Sequence, residues 1–100
     1  MKCDLAAAYL SRTDLVFTNL SEADLSGANL TWADLSEANL SGASLVSTNL
    51  SGADLSGANL SGVDLNEVNL SAADLEGANL TETKMCETKM PNGTIDNSGC

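Results

Sequence analysis

Carboxylates and hydroxyls are the side chains of this sequence that are numerous enough to do chemistry. The chain has 14 Asp and Glu residues, 4 Lys and Arg residues and no histidine, so the most common general base and nitrogen ligand for metals is missing. No serine or cysteine has a base partner that the sequence identifies. Serine is abundant because it fills one position of a repeat, and close pairs of carboxylates arise from the same repetition. We therefore predict no enzymatic activity, no cofactor, and no catalytic, cofactor-binding or metal-binding residue.

Cysteine is the other reactive residue type, and it occurs three times, as Cys3, Cys86 and Cys100. An odd number argues against a simple disulfide framework. Cys3 falls on an inward position of the repeat, where we expect a small core residue. Cys86 and Cys100 flank the C-terminal tail and could form a disulfide, which would stabilise the fold by about 3 kcal/mol on the chain-entropy estimate. A reducing, cytoplasmic setting would disfavour that bond, so both states stay open.

Leucine recurs at every fifth position, and this spacing fits neither standard secondary structure. Five residues advance about 140° net around a helix, so leucines at this spacing would form no single apolar face. In a flat strand, an odd spacing sends successive leucines to opposite faces. A chain that bends after each pentapeptide keeps every leucine on the axis of a coil, and stacked coils pair their backbones like strands. The predicted core ladder is Leu5, Leu10, Leu15, Leu20, Leu25, Leu30, Leu35, Leu40, Leu45, Leu50, Leu55, Leu60, Leu65, Leu70, Leu75, Leu80, Met85 and Met90.

The repeat reads Ala-(Asp/Asn)-Leu-(Ser/Thr)-x, as in residues 23–27 and 28–32, and it extends from Cys3 to about Met90. In this pattern the chain resembles the pentapeptide-repeat family. The segment 89–95, with its Pro-Asn-Gly turn, is similar to a recurrent ending of cyanobacterial members. The resemblance implies an all-β fold, a right-handed quadrilateral parallel β-helix with four pentapeptides per coil and about five coils.

The period of five does not by itself fix the number of sides. Four sides would stack a column of Asp residues, and two neighbouring carboxylates in water repel by about 0.9 kcal/mol, which favours three sides. Four sides would also place Arg12 beside Trp32, a candidate cation–π pair, and Lys84 beside Asp64. We predict four sides, partly on the resemblance. The predicted acidic column could hold Ca²⁺, but a row of side chains supplies few ligands, so we interpret it as a solvated face; it comprises Asp14, Asp34, Asp54 and Asp74.

The two ends of the repeat region are predicted to differ. We divide the chain into a β-helix over residues 1–90 and a C-terminal turn and tail over 91–100, with Ile95 folded over the last coil as a cap. At the other end the repeat is already in register at Cys3. Solenoids need covered ends, so we expect either an end-to-end homodimer through the N-terminal coil or a longer parent chain.

Four residues near the N-terminal end form a candidate interface. Tyr9 takes the Asp/Asn position of its repeat, and Phe17 and Trp32 take outward positions. Together with Arg12 they would make a small aromatic patch at one end of the solenoid. Single exposed apolar residues are ordinary on protein surfaces, so tolerated surface residues are the alternative.

The formal net charge of −10 argues against direct binding to nucleic acid or to an anionic membrane. No apolar run reaches membrane-spanning length, and Asp4 and Arg12 bracket a short apolar stretch unlike a signal peptide, so we expect a cytoplasmic protein. We predict a non-enzymatic structural module that binds an unknown protein. The resemblance implies an alternative, a DNA mimic that binds DNA gyrase or another DNA-binding protein. Relatives of that kind are longer and pair through a C-terminal helix, which this sequence does not encode.

Overall fold

The computed structural model describes residues 4–100. Cys3, the predicted small core residue, lies outside the described part. Within residues 4–100 the chain forms a solenoid whose sides are single parallel bridges between residues twenty apart, such as Asn29 to Asn49 and Asp34 to Asp54. A partner twenty residues away means four pentapeptides per coil, so the predicted four-sided, all-β solenoid is confirmed and a three-sided coil is excluded.

Backbone hydrogen bonds connect each side of a coil to the coils before and after it. The N–H of Leu25 donates to the carbonyl of Ser44 (2.8 Å), and the N–H of Asn49 donates to the carbonyl of Ala28 (3.0 Å). A third bond, from the N–H of Ala28 to the carbonyl of Leu25 (3.0 Å), closes the bend between neighbouring sides. Because these bonds recur with the repeat, the amides and carbonyls near the core are paired without long strands.

Each corner contains a residue in the left-handed region, whatever its type. Arg12, Trp32 and Glu37 have φ values of 62°, 61° and 60°, close to the 71° of Gly52. A non-glycine residue in this conformation costs about 1–2 kcal/mol. Burial of one leucine side chain contributes about 1.5–3 kcal/mol, which offsets that cost in every repeat. Glycine is therefore not required at the corners by the backbone angle alone.

The core lies on the axis of the solenoid and is filled by leucine with smaller residues between. The leucines from Leu25 to Leu70 are fully buried, whereas Leu5, Leu10 and Leu15 at one end, and Leu75, Leu80, Met85 and Met90 at the other, are partly buried. Thr48 and Thr88 replace alanine inside. Their hydroxyls donate to the carbonyls of Leu25 (2.8 Å) and Leu65 (2.7 Å), so neither is buried without a partner.

Near the C-terminus, residues 4–100 form two short strands, whereas the sides of the coils pair through single bridges. Strand β1 (Thr88–Lys89) pairs antiparallel with strand β2 (Ile95–Asp96), with Lys89 opposite Ile95. The prediction that Ile95 covers the last coil is wrong for its side chain, which is 55% exposed. The tail contacts the last coil instead through the backbone N–H of Gly99, the side chain of Asn97 and the side chain of Cys100. Residues 4–100 contain no helix that is long and apolar enough to cross a membrane.

Several corner glycines are covered by the side chain of the residue twenty positions earlier in the sequence. A Cβ on Gly52 would lie 2.6 Å from Cε3 of Trp32, and a Cβ on Gly57 would lie 2.6 Å from Oε1 of Glu37. Gly62 has the same backbone angle, φ 70°, and no atom within 4 Å of such a Cβ. Long corner side chains thus lie along the solenoid, and a glycine in the next coil leaves room for them.

We expect Gly52→Ala to lower the free energy of unfolding by about 1 kcal/mol more than Gly62→Ala, because both variants bear the left-handed strain but only the first displaces the indole of Trp32. Urea denaturation of the two variants measures the difference. In a Trp32→Ala background the difference should vanish. Equal losses for the two glycine variants in the native background would contradict this account.

Candidate interaction surfaces

Three exposed aromatic side chains and one arginine lie near the N-terminal end of the solenoid, along one half of its perimeter. Tyr9, Phe17 and Trp32 are 79%, 75% and 59% exposed. Tyr9 lies on one side of the first coil, and Arg12 and Phe17 lie at the two corners that follow it. Trp32 lies at the corner of the second coil that stacks on the corner of Arg12. We call Tyr9, Arg12, Phe17 and Trp32 the N-terminal rim. The indole covers Gly52, one coil further along the chain, and its cation–π pairing with Arg12 stays a prediction.

The rim lies beside a partly buried end of the core. Leu5, Leu10 and Leu15 are only partly buried there. In the next coil, the N–H of Asn29 donates to a carbonyl of the first coil, that of Ala8, at 2.9 Å. Within residues 4–100 no equivalent bond is made by the N–H of Tyr9. The end therefore places partly buried leucines beside exposed aromatic side chains.

The alternation of Asp and Asn gives the four sides two chemical characters. The predicted acidic column is a ladder in the structure, joining Asp14, Asp34, Asp54 and Asp74. The opposite side is also acidic along most of its length and consists of Asp4, Asp24, Ser44, Asp64 and Lys84. The two sides between them carry amides, with Asn19, Asn39, Asn59 and Asn79 on one and Asn29, Asn49 and Asn69 on the other. Negative charge is thus concentrated on two opposite sides.

One oxygen of each Asp or Asn side chain holds the corner that follows it. Oδ1 of Asp54 accepts hydrogen bonds from the backbone N–H of Ser56 (3.0 Å) and from its hydroxyl (2.6 Å). Oδ1 of Asn39 accepts the same two bonds from Ser41, at 3.0 and 2.8 Å. This is the local turn that Asp and Asn favour. The Asp/Asn-x-Ser/Thr spacing is the sequence signal for this role, which was not among the features predicted from the sequence.

These hydrogen bonds also shift the acidity of the carboxylates. The hydroxyl of Ser56, followed by its N–H, lowers the pKa of Asp54, and burial opposes the shift slightly. The Ser26 hydroxyl and N–H lower the pKa of Asp24 in the same way. Hydrogen bonds to the ionised form favour that form. Both carboxylates therefore stay charged at and well below neutral pH.

The described residues offer little to a small ligand. Residues 4–100 form no pocket, and their His, Cys, Asp and Glu side chains make no group of three or more that could hold a metal ion. Serine hydroxyls that neighbour carboxylates, such as that of Ser56, donate into the corner turns. The surfaces that remain for recognition are the N-terminal rim, the two acidic sides and the tail.

The structure brings the two predicted C-terminal cysteines together. Sγ of Cys86 and Sγ of Cys100 are joined in a disulfide, with the two Cα atoms 4.8 Å apart. Cys86 is partly buried in the last coil, whereas Cys100 is exposed. The bond fastens the end of the tail to the solenoid.

Comparison with known proteins agrees with this architecture. The family model described as pentapeptide repeats matches in 8 copies, over residues 3–42, 28–71 and 64–94. HetL, a pentapeptide repeat protein of the cyanobacterium Nostoc sp. PCC 7120 involved in the regulation of heterocyst differentiation, is 39% identical with a TM-score of 0.89. The match covers 93% of this chain and 43% of HetL. The fold of such proteins is a right-handed quadrilateral β-helix.

Two further solved structures are similar. The pentapeptide repeat protein alr5209 of Nostoc PCC 7120 is 46% identical over 76% of this chain and 63% of its own, with a TM-score of 0.75. A pentapeptide repeat protein of the Arabidopsis thaliana thylakoid lumen is 28% identical over 98% of this chain and 79% of its own, with a TM-score of 0.71. The chain thus spans less than half of HetL and less than two thirds of alr5209. No curated protein sequence matches it.

We expect Ser56→Ala to raise the pKa of Asp54, because the hydroxyl is the largest cause of its depression. A depressed carboxyl pKa stabilises the fold above the pKa of the unfolded chain, and this contribution is lost as the pH falls through the folded value. The variant should therefore lose less stability on acidification than the parent. Carbon NMR titration of the Asp54 carboxyl group measures the pKa directly. Ser41→Ala, which removes the equivalent hydroxyl from the uncharged Asn39, is the matched control and should leave that titration unchanged; an unmoved pKa in Ser56→Ala would refute the assignment.

Proposed function

Because the chain belongs to the pentapeptide-repeat family, we propose that it is a non-enzymatic module that acts by binding protein. One observation carries the proposal, namely the exposed N-terminal rim beside a partly buried core end. Exposed aromatic residues and arginine are enriched in protein interfaces. HetL is involved in the regulation of heterocyst differentiation, which supports a regulatory rather than a metabolic role for a module of this kind.

The partner we propose for the rim is a second copy of the chain, placed end to end. A two-fold axis across the end of the solenoid reverses the chain direction, so the edges of the two first coils would meet antiparallel. An axis through the middle of two opposite sides would set Asp4 against the partner's Asp14, or each of these residues against itself. Like charges directly opposite each other destabilise such a pair of edges. The side-to-side arrangements are therefore unfavourable.

A diagonal two-fold axis through the corner of Arg12 avoids this repulsion. It places the side of Tyr9 on the partner's side of Asp14, and the side of Asp4 on the partner's side of Asn19. Both Arg12 side chains then lie near the axis, each close to a carboxylate of the partner's Asp14. Charge complementarity of this kind fixes the register of an interface. The half-buried leucines would complete their burial in the same contact.

We expect the 100-residue chain to dimerise reversibly, and the double substitution Tyr9→Ser with Phe17→Ser to raise the dissociation constant at least about tenfold, because it removes two aromatic anchors. Sedimentation equilibrium over a wide concentration range measures this constant. Ile95→Ser is the matched control, since Ile95 is 55% exposed at the other end of the chain. A parent chain that stays monomeric at the highest concentrations would overturn the proposed dimer, as would an equal effect of the control.

A second candidate function is the mimicry of DNA, and the ladder of Asp14, Asp34, Asp54 and Asp74 favours it. A net charge of −10 with seven Asp carboxylates on two opposite sides would attract a basic surface made for nucleic acid. The match is coarse, because coils rise about 4.8 Å while phosphates along one strand are about 3.4 Å apart. We therefore rank this function below the binding of protein through the rim.

If mimicry operates, micromolar protein should inhibit or protect purified DNA gyrase in a supercoiling assay, and Asp34→Asn with Asp54→Asn should weaken the effect because it removes two charges from one ladder. Asp24→Asn with Asp64→Asn removes the same charge from the opposite side and controls for net charge. The absence of any effect of the parent chain on gyrase would remove this candidate and leave the dimer proposal untouched.

A further inference from the structure

The end of the tail returns to the backbone of the last coil. The N–H of Gly99 donates to the carbonyl of Met85 (2.8 Å), and the N–H of Glu87 donates to Oδ1 of Asn97 (2.8 Å). In an earlier coil the N–H of Glu67, the counterpart of Glu87, donates instead to a carbonyl of the following coil. At the N–H of Glu87 the tail therefore replaces the partner that another coil would supply. At Met85 it takes the carbonyl that in an earlier coil accepts the bend bond, as the carbonyl of Leu65 does from the N–H of Val68.

Gly99 is fitted closely to its place in this contact. A Cβ on Gly99 would lie 2.8 Å from the backbone N of Met85 and 3.2 Å from its carbonyl oxygen. No side chain can be accommodated there unless the backbone of the tail moves. The tail thus has a specific seat on the coil edge, defined by backbone contacts as well as by the bond between the cysteines.

Apart from the disulfide, little holds the tail in that seat. Residues 92–95 and 97–100 are exposed, and hydrogen bonds exposed to water contribute little net stability. The pairing of β1 with β2 ends at Asp96, before the seated residues Asn97 and Gly99. The disulfide joins residues with a sequence separation of 14. A bond of this span reduces the number of conformations open to the detached tail, and so favours the attached state by a factor on the order of a hundred.

We propose that the Cys86–Cys100 disulfide is a redox-controlled latch that opens and closes the edge of the last coil at Met85 and Glu87. In the reduction step a thiolate of a small dithiol attacks one sulfur of the disulfide and forms a mixed disulfide, releasing the other cysteine as a thiolate that takes up a proton. The second thiol of the reductant then displaces the remaining cysteine. Two electrons pass to the protein, the dithiol is oxidised to its own disulfide, and both cysteines end as thiols.

The surroundings of the bond suit this chemistry. Cys100 is exposed and Cys86 is only partly buried, so a reductant can reach the bond. Exposed disulfides belong to the labile and regulatory class, whereas structural ones are protected. Once the bond is broken, the tail beyond β2 depends on two hydrogen bonds, and the edge it covers becomes free to pair with another backbone. This inference goes beyond the proposed function and does not depend on it.

Hydrogen exchange of the full chain tests the latch. With the disulfide formed, the amides of Glu87 and Gly99 should be protected, and reduction with dithiothreitol should speed their exchange on the order of a hundredfold. The amides of Leu45 and Leu50, in the middle of the solenoid, should not respond. The double variant Cys86→Ser with Cys100→Ser should exchange fast at the tail with or without reductant. Equal protection of Glu87 and Gly99 in the oxidised and reduced parent chain would overturn the latch.

A redox titration separates a switch from a permanent structural bond. In glutathione buffers the disulfide should open within the range of ratios found in cells, as followed by alkylation and mass spectrometry. Gly99→Ala, which cannot occupy the seat, should shift the midpoint so that the bond is reduced more readily. A disulfide that persists throughout that range would be structural only and would defeat the proposal. So would two cysteines that both react with the alkylating reagent after equilibration with oxidised glutathione.

Discussion

The fold depends on a left-handed corner at every fifth residue, and most corners are supported by hydrogen bonds to an Asp or Asn side chain three positions before them. Oδ1 of Asp54, for example, accepts the N–H of Ser56 immediately before the corner at Gly57. The corner fixes the length of each side, and four equal sides bring the chain back over itself after twenty residues. Leucine burial supplies the free energy that this conformation requires. If the corner spacing varied, neither the backbone ladder nor the leucine core would stay in register.

A strict register makes each residue the neighbour of the residue twenty positions later. The side chain at one position therefore limits which side chain fits at the stacked position of the next coil. The indole of Trp32 is accommodated because Gly52 follows it, just as the carboxylate of Glu37 is accommodated by Gly57. The same register aligns Asp with Asp on two sides, which is unfavourable for each pair. Hydrogen bonds from serine to Asp24 and Asp54 lower the pKa of these carboxyls and so reduce the cost of keeping them charged.

The sequence was sufficient to predict the core, because the core follows from period and volume, whereas the number of sides was predicted from pairs twenty residues apart and partly from the family resemblance. Leucine at every fifth position can be buried only in a coil, and the pairing of Asp64 with Lys84 is found in the ladder as the four-sided register requires. Features that depend on the direction of a single side chain were not predictable in this way. The exposure of Ile95, the lean of Trp32 over Gly52 and the close seat of Gly99 follow from local backbone positions that no period encodes.

The same periodicity limits where recognition can occur. Along the middle of the solenoid the sides repeat with the coil, apart from Ser44 on one acidic side, so a partner would find a similar surface at successive steps. Within residues 4–100 the repeat is broken most strongly by the N-terminal rim at one end and by the hairpin and disulfide at the other. Specific recognition requires a difference between the correct and the shifted alignment. Under the proposed function, the N-terminal rim and the tail are therefore the surfaces that set a unique register with a partner, and the regular centre sets the distance between them.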